Sequence, residues 1–159
     1  MVKHIHNITI TIFEKNNEKI DDHKDILKFL LPVDFEKEHV DLSIESAEGF
    51  GQEMIQIIRL KTDKKRHNVL LLDNIFSHLS EEDKKLIGDQ YLSRLNEEGY
   101  FFIRLDKSQL MKKKFILIES GNCYHFKIKI AGFPARWEEF EKSTKSLLIN
   151  YNCLKKDDN

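Results

Sequence analysis

Phe101-Phe102-Ile103-Arg104-Leu105-Asp106-Lys107 alternates apolar and polar side chains and ends in a charged turn. Alternation puts successive side chains on opposite faces of a strand, so Ile103 and Leu105 are expected to face a core and Arg104 the other side. About twenty residues on, Phe126-Lys127-Ile128-Lys129-Ile130 repeats the pattern and runs into Ala131-Gly132-Phe133-Pro134. Phe126, Ile128 and Ile130 then face the core, with Lys127 and Lys129 opposite. Two half-buried strands with basic outer faces and no catalytic motif beside them point to a binding surface.

Working outward, His4 to Phe13 is rich in Ile and Thr and reads as a strand. Ile8, Ile10 and Ile12 share one face, and Ile5, Thr9, Thr11 and Phe13 the other. Asn16-Asn17 opens a loop, Asp21 or Asp22 starts a helix through about Leu31, and Pro32 stops it. Residues 40–44 and 54–60 read as a hairpin joined by Glu48-Gly49-Phe50-Gly51, whose glycines permit positive φ. Residues 68–79 carry apolar side chains at helical spacing. Ser80-Glu81-Glu82-Asp83 resembles a capping box opening a helix to about Asn96. Strands are expected over 100–105, 115–119 and 123–130, with Ser120-Gly121-Asn122 as a hairpin turn between the last two. A final helix starts near Pro134. The expected class is α+β: a two-layer sandwich with a mostly antiparallel sheet of about six strands and helices on one face. Residues 1–154 read as one domain and 155–159 as a charged tail.

The chain has 159 residues, 33% of them charged, yet its formal net charge is −1. Net charge therefore does not signal nucleic-acid binding, and local clustering has to carry any such case. Cys123 and Cys153 form no CxxC pair and no disulfide framework, which suits a reducing, cytoplasmic setting. No stretch approaches the length of a membrane span.

Several strings resemble an archaeal family of RNA-binding proteins, also described as predicted exosome subunits, whose fold is like that of the fifth protein of the large ribosomal subunit. They are Phe102-Ile103-Arg104-Leu105-Asp106-Lys107-Ser108-Gln109, Ile128-Lys129-Ile130-Ala131-Gly132-Phe133-Pro134 and Phe29-Leu30-Leu31-Pro32. Glu48 to Glu53 departs from the family's pattern, with Gln52 and Glu53 where Asn and Pro are usual. The resemblance implies association with RNA, and with exosome or ribosomal components.

The basic groups fit that implication. Lys64, Lys65 and Arg66 lie in one connection beside Lys61 and His67, and Lys112, Lys113 and Lys114 lie in another. Arg104 and Lys107 precede the second group, Lys127 and Lys129 face outward across the sheet, and Arg136 begins the last helix. Clustered cations attract phosphate, and a guanidinium can hold it bidentately. Tyr100, Phe102, Tyr124 or Phe133, if exposed, offer stacking platforms for unpaired bases. The competing reading is structural: Lys-rich loops are solvated, edge strands use Lys against aggregation, and Arg136 can pair with Glu138 or Glu139.

No Gly-rich phosphate loop, GxSxG elbow or HExxH helix occurs in the chain. Cys123 and His125 sit two apart, but nothing else marks an activated nucleophile. His4 and His6 lack a clear third metal ligand. The expectation is a non-catalytic RNA-binding module without cofactor. The alternative is a protein-interaction module that docks on a larger assembly without touching RNA.

Overall fold

The structure, a computed structural model, describes residues 4–15, 19–48, 51 and 54–156. Asn16-Asn17, the centre of the expected turn at Glu48-Gly51 and the end of the charged tail lie outside them. The elements are β1 (Ile5–Lys15), α1 (Ile20–Leu30), β2 (Asp41–Glu48), β3 (Met54–Thr62), α2 (Lys65–His78), α3 (Glu81–Asp89), α4 (Tyr91–Arg94), β4 (Tyr100–Asp106), α5 (Lys107–Leu110), β5 (Cys123–Ile130) and α6 (Trp137–Asn150). The strands form one open antiparallel sheet in the order β2-β3-β1-β5-β4.

The alternation sorts the two faces as expected. Ile8, Ile10, Ile12, Ile58, Leu60, Ile103, Leu105, Phe126 and Ile130 are fully buried on one face. The helices cover that face, contributing Leu27, Leu30, Leu71, Leu72, Ile75, Leu147 and Leu148 to the same core. On the other face the core's helix side chains reach Lys129, through Phe140 of α6. Asn74 on α2 ties the helix layer together: its Nδ2 donates to the carbonyls of Phe29 and Leu30 at 2.7 and 3.0 Å, satisfying the end of α1. Gly88 in α3 permits a close approach, because a Cβ there would sit 1.9 Å from the Cys153 carbonyl oxygen.

Three local expectations fail. The sheet has five strands, because residues 115–119 make only one bridge, Leu105 to Leu117. Asp106 N–H donates to the Ile116 carbonyl and Ile118 N–H to that of Arg104, which closes the outer edge of β4. The Leu117 N–H goes instead to Asp83 Oδ2 at 3.2 Å. Phe115 is buried, its ring stacked on His78 at 4.6 Å, so this segment is anchored in the helix layer. The hairpin at Ser120-Gly121-Asn122 therefore does not form, since β5 enters the sheet between β1 and β4.

The expected helix from Ser80 to Asn96 is interrupted at Gln90, which leaves the helical conformation (φ −104°, ψ 10°) and separates α3 from α4. The third failure is in β1. A bulge between Ile5 and Asn7 inserts His6 into the ladder, so Ile5 pairs with Ile130 and turns towards the core. Ile5 is thus not part of the open face.

Candidate nucleic-acid interface

The open face follows from strand register. One row runs Asp41, Lys61, Thr9, Lys127 and Phe102; the next runs Ser43, Arg59, Thr11, His125 and Arg104. Asn7, Lys129 and Tyr100 extend it at one end. Five cations thus stand on three strands, β3, β4 and β5, with the uncharged Thr9 and Thr11 of β1 between β3 and β5. Arg59 carries no signal of its own in the sequence, and Lys61 stands out there only as part of the basic connection. Their strand reads as a nearly continuous apolar run, and only pairing of β3 with β1 brings them beside Lys127.

Aromatic rings hold part of this charge in place. Lys127 Nζ lies 4.1 Å from the centroid of Tyr100, and Lys129 Nζ lies 4.8 Å from it and 4.9 Å from that of Phe140. Such contacts are attractive and orient the ammonium groups. Lys129 also donates to the Glu98 carbonyl. Phe102 packs against His125 with centroids 5.5 Å apart. His125 is held below the ordinary imidazole pKa, first by burial and then by Arg104 and Lys127, so it stays neutral until acid conditions. Arg59 meets Glu45 at 3.3 Å, an exposed pair of little energetic weight. Among the described residues, no carboxylate lies within ion-pair distance of Arg104, Lys61 or Lys127.

Beside Arg104, at the outer edge of the sheet, Arg94 donates from Nη1 to the Phe102 carbonyl at 3.2 Å and from Nη2 to Gln90 Oε1 at 2.7 Å. Its Nε is buried and has no hydrogen-bond partner among the described residues. Burial, and then the charge of Arg104, depress its pKa. Glu119 and Asp83 lie close enough to oppose that shift, so the edge carries both signs of charge.

The remaining cations named from sequence stand elsewhere. Lys107 is engaged inside the fold. Its Nζ donates to Glu14 Oε2 at 2.9 Å and to the Phe13 carbonyl at 2.8 Å. Glu14 Oε2 also accepts from His23 Nε2 at 2.9 Å, and His23 Nδ1 accepts from the Tyr124 hydroxyl at 2.6 Å. Each proton in this chain has one consistent donor, which sets His23 as the neutral Nε2–H tautomer. Tyr124 is fully buried and is no stacking platform.

Lys112, Lys113 and Lys114 are exposed, but Lys113 lies over the ring of Phe29 at the end of α1, 4.9 Å from its centroid. They belong to the helix layer and do not join Arg104 on the sheet face. Lys64 and Arg66 open α2, where positive charge opposes the helix dipole. Glu38 offsets it: its carboxylate receives Arg66 and His67, the latter at 2.9 Å, and its carbonyl receives Lys64 at 2.7 Å. Lys64 nevertheless shares a shallow cleft with Lys61, Asp41 and Asp63 at a corner of the sheet. Lys65 follows on the first turn of α2. Arg136 is exposed before α6 and reaches Glu138 and Glu139, each at 3.8 Å.

Cys123 and His125 share the open face of β5, but burial raises the thiol's pKa while it lowers the imidazole's. Each shift opposes a thiolate–imidazolium pair. Among the described residues no group of three or more His, Cys, Asp or Glu could hold a metal ion, and no helix is long and apolar enough to cross a membrane.

A family model described as RNA binding matches residues 7–130 of the chain. That span takes in all five strands' open-face residues named above. RNA-binding protein PAB1135 of Pyrococcus abyssi is 26% identical over 143 residues, covering 90% of this chain and 93% of that protein. Among solved structures, Mth689, a DUF54 protein from Methanothermobacter thermautotrophicus, aligns with a TM-score of 0.71 at 23% identity, over 91% of this chain and 96% of its own. The DUF54 protein AF2318 from Archaeglobus fulgidus aligns at 0.76 and 16%, over 90% and 99%. At these identities the structural likeness establishes the shared α+β fold.

Proposed function

Because this chain belongs to the RNA-binding family, we propose that it binds RNA through the open face of its sheet. One observation carries the reading: Arg59, Lys61, Arg104, Lys127 and Lys129 converge on the sheet face opposite the buried core residues, with Tyr100 and Phe102 between them. Desolvated ring contacts pre-orient two of the ammonium groups, which reduces the entropy lost when phosphates replace water. The opposed pKa directions of Cys123 and His125 support a role without catalysis. The two free thiols suit the cytoplasm. Two finer points belong to the same proposal. One is kinship of fold with the fifth protein of the large ribosomal subunit. The other is service as an accessory of RNA processing by the exosome or of ribosome maturation.

Fluorescence anisotropy with a labelled RNA, titrated at several salt concentrations, tests the reading. Each phosphate-neutralising cation contributes about 0.7 to the slope of log affinity against log salt for a single strand. The double variant R104E/K127E should therefore lose roughly tenfold or more in affinity and lower that slope by about 1.4. Unchanged affinity and slope in that variant would remove the sheet face from consideration.

A second reading, docking on a protein assembly, is favoured by Phe133, whose side chain is 95% exposed in the connection between β5 and α6. Partners retained from a native extract after nuclease treatment, and released by F133A, would support it over RNA contact.

A further inference from the structure

A groove of about 690 Å³ adjoins the cationic face where Phe13 ends its row. Resting on the RNA-binding reading, we infer that this groove takes an unpaired nucleobase of a single-stranded segment, with Phe13 as its stacking platform. Phe13 is 55% exposed, although it sits within a strand and opposite Ile57. Its backbone is fixed, because Lys107 donates to its carbonyl at 2.8 Å. The ring is therefore a rigid apolar surface open to solvent, unlike Tyr100, which Lys127 and Lys129 already cover, and Phe102, which meets His125.

The rest of the groove suits a base. Met111 and Ile118 add apolar walls, and Asp106 and Asn122 add polar groups. Asp106 Oδ1 is engaged by Gln109 N–H and the Ser108 hydroxyl, and these bonds hold its carboxyl below the ordinary range. Its second oxygen is thus an ionised acceptor for an exocyclic amino group, while Asn122 offers both donor and acceptor.

Glu14, Lys15, Lys19 and Lys107 also line the groove, Lys107 being paired with Glu14, and further cations for the backbone lie alongside on the sheet face. Arg59 is the diagonal neighbour of Phe13 across the β1–β3 pair, a Cβ separation of about 7–8 Å. That distance is on the scale of a single nucleotide. A base in the groove and its phosphate on Arg59 leave the following phosphates to Lys127 and Arg104. A duplex cannot present a base to Phe13, since its bases are stacked and paired inside.

The test compares a labelled single-stranded RNA with the same strand annealed to its complement, using the parent, F13A and F13W. The parent should prefer the single strand. F13A should weaken it roughly tenfold without changing the salt slope, and should leave duplex binding unaltered. F13W should restore the affinity. The inference is overturned if F13A binds the single strand as tightly as the parent, or if single strand and duplex bind equally and respond equally to F13A. A parent that binds neither RNA overturns the RNA-binding reading itself, so the two failures are distinct.

Discussion

His23 is the residue whose role departs most from its appearance in the sequence. It stands in α1 among charged neighbours, yet it is fully buried between Tyr124 and Glu14. Burial lowers its pKa below the ordinary 6.5, outweighing the Glu14 carboxylate, which pulls it up. As pH falls below 6.5 the unfolded chain takes up this proton first, so the stability from neutral His23 is full above that pH and is lost towards its folded pKa. His125 acts in the same direction. Burial of Glu14 pushes its carboxyl up, but hydrogen bonds from His23 and Lys107 together outweigh this and bring it below the ordinary 4.5. Its contribution is present above 4.5 and lost as pH falls through the folded value. Urea unfolding should therefore give a midpoint that is flat from pH 7 until the buried thiols' ordinary 9.0 is approached, with a decline below pH 6.5 and a second decline below 4.5. His23→Gln should lower the midpoint at pH 7 and flatten the first decline. An undiminished decline in that variant would assign it to other groups. None of this was visible from residue types, because Glu14, His23, Lys107 and Tyr124 come from four separate elements.

At the scale of elements, the capping signal at Ser80 was legible and half correct. The Asp83 N–H donates to Ser80 Oγ at 3.1 Å, as the motif requires. The Asp83 carboxylate does not return to the cap, however. It accepts from Leu117 N–H and pins residues 115–119 beside α3. The segment alternates like a strand but makes only one bridge to β4, and the Leu117 N–H, which points away from β4, is taken by α3. Asp83→Ala should leave the helix cap in place, destabilise the protein by about 1–2 kcal/mol and speed hydrogen exchange at Leu117 and Ile118. Slow exchange at both amides in that variant would show that the bridge to Leu105 holds the segment alone.

For the whole molecule, the cations divide between two layers. Arg59, Lys61, Arg104, Lys127 and Lys129 share the open sheet face, whereas Lys113 rests on Phe29 of the helix layer. If the sheet face holds RNA, K112E/K113E/K114E should lower affinity less than R104E/K127E does, and should change the salt slope by less, although it alters more charges. The reverse order, measured in the same salt titration, would move the interface to the helix layer. Sequence by itself determined which side of β4 and β5, and of β1 beyond its bulge, faces the core, because a period of two leaves a half-buried strand no other choice. It determined Arg104, Lys127 and Lys129 as outward groups on that ground alone. Only the tertiary structure decided which strands are neighbours. That choice placed β5 between β1 and β4, added Arg59 and Lys61 to the face, excluded Lys112 to Lys114 and drew Lys107 inward. Strand order depends on contacts between residues far apart in the chain, and no local alternation encodes those.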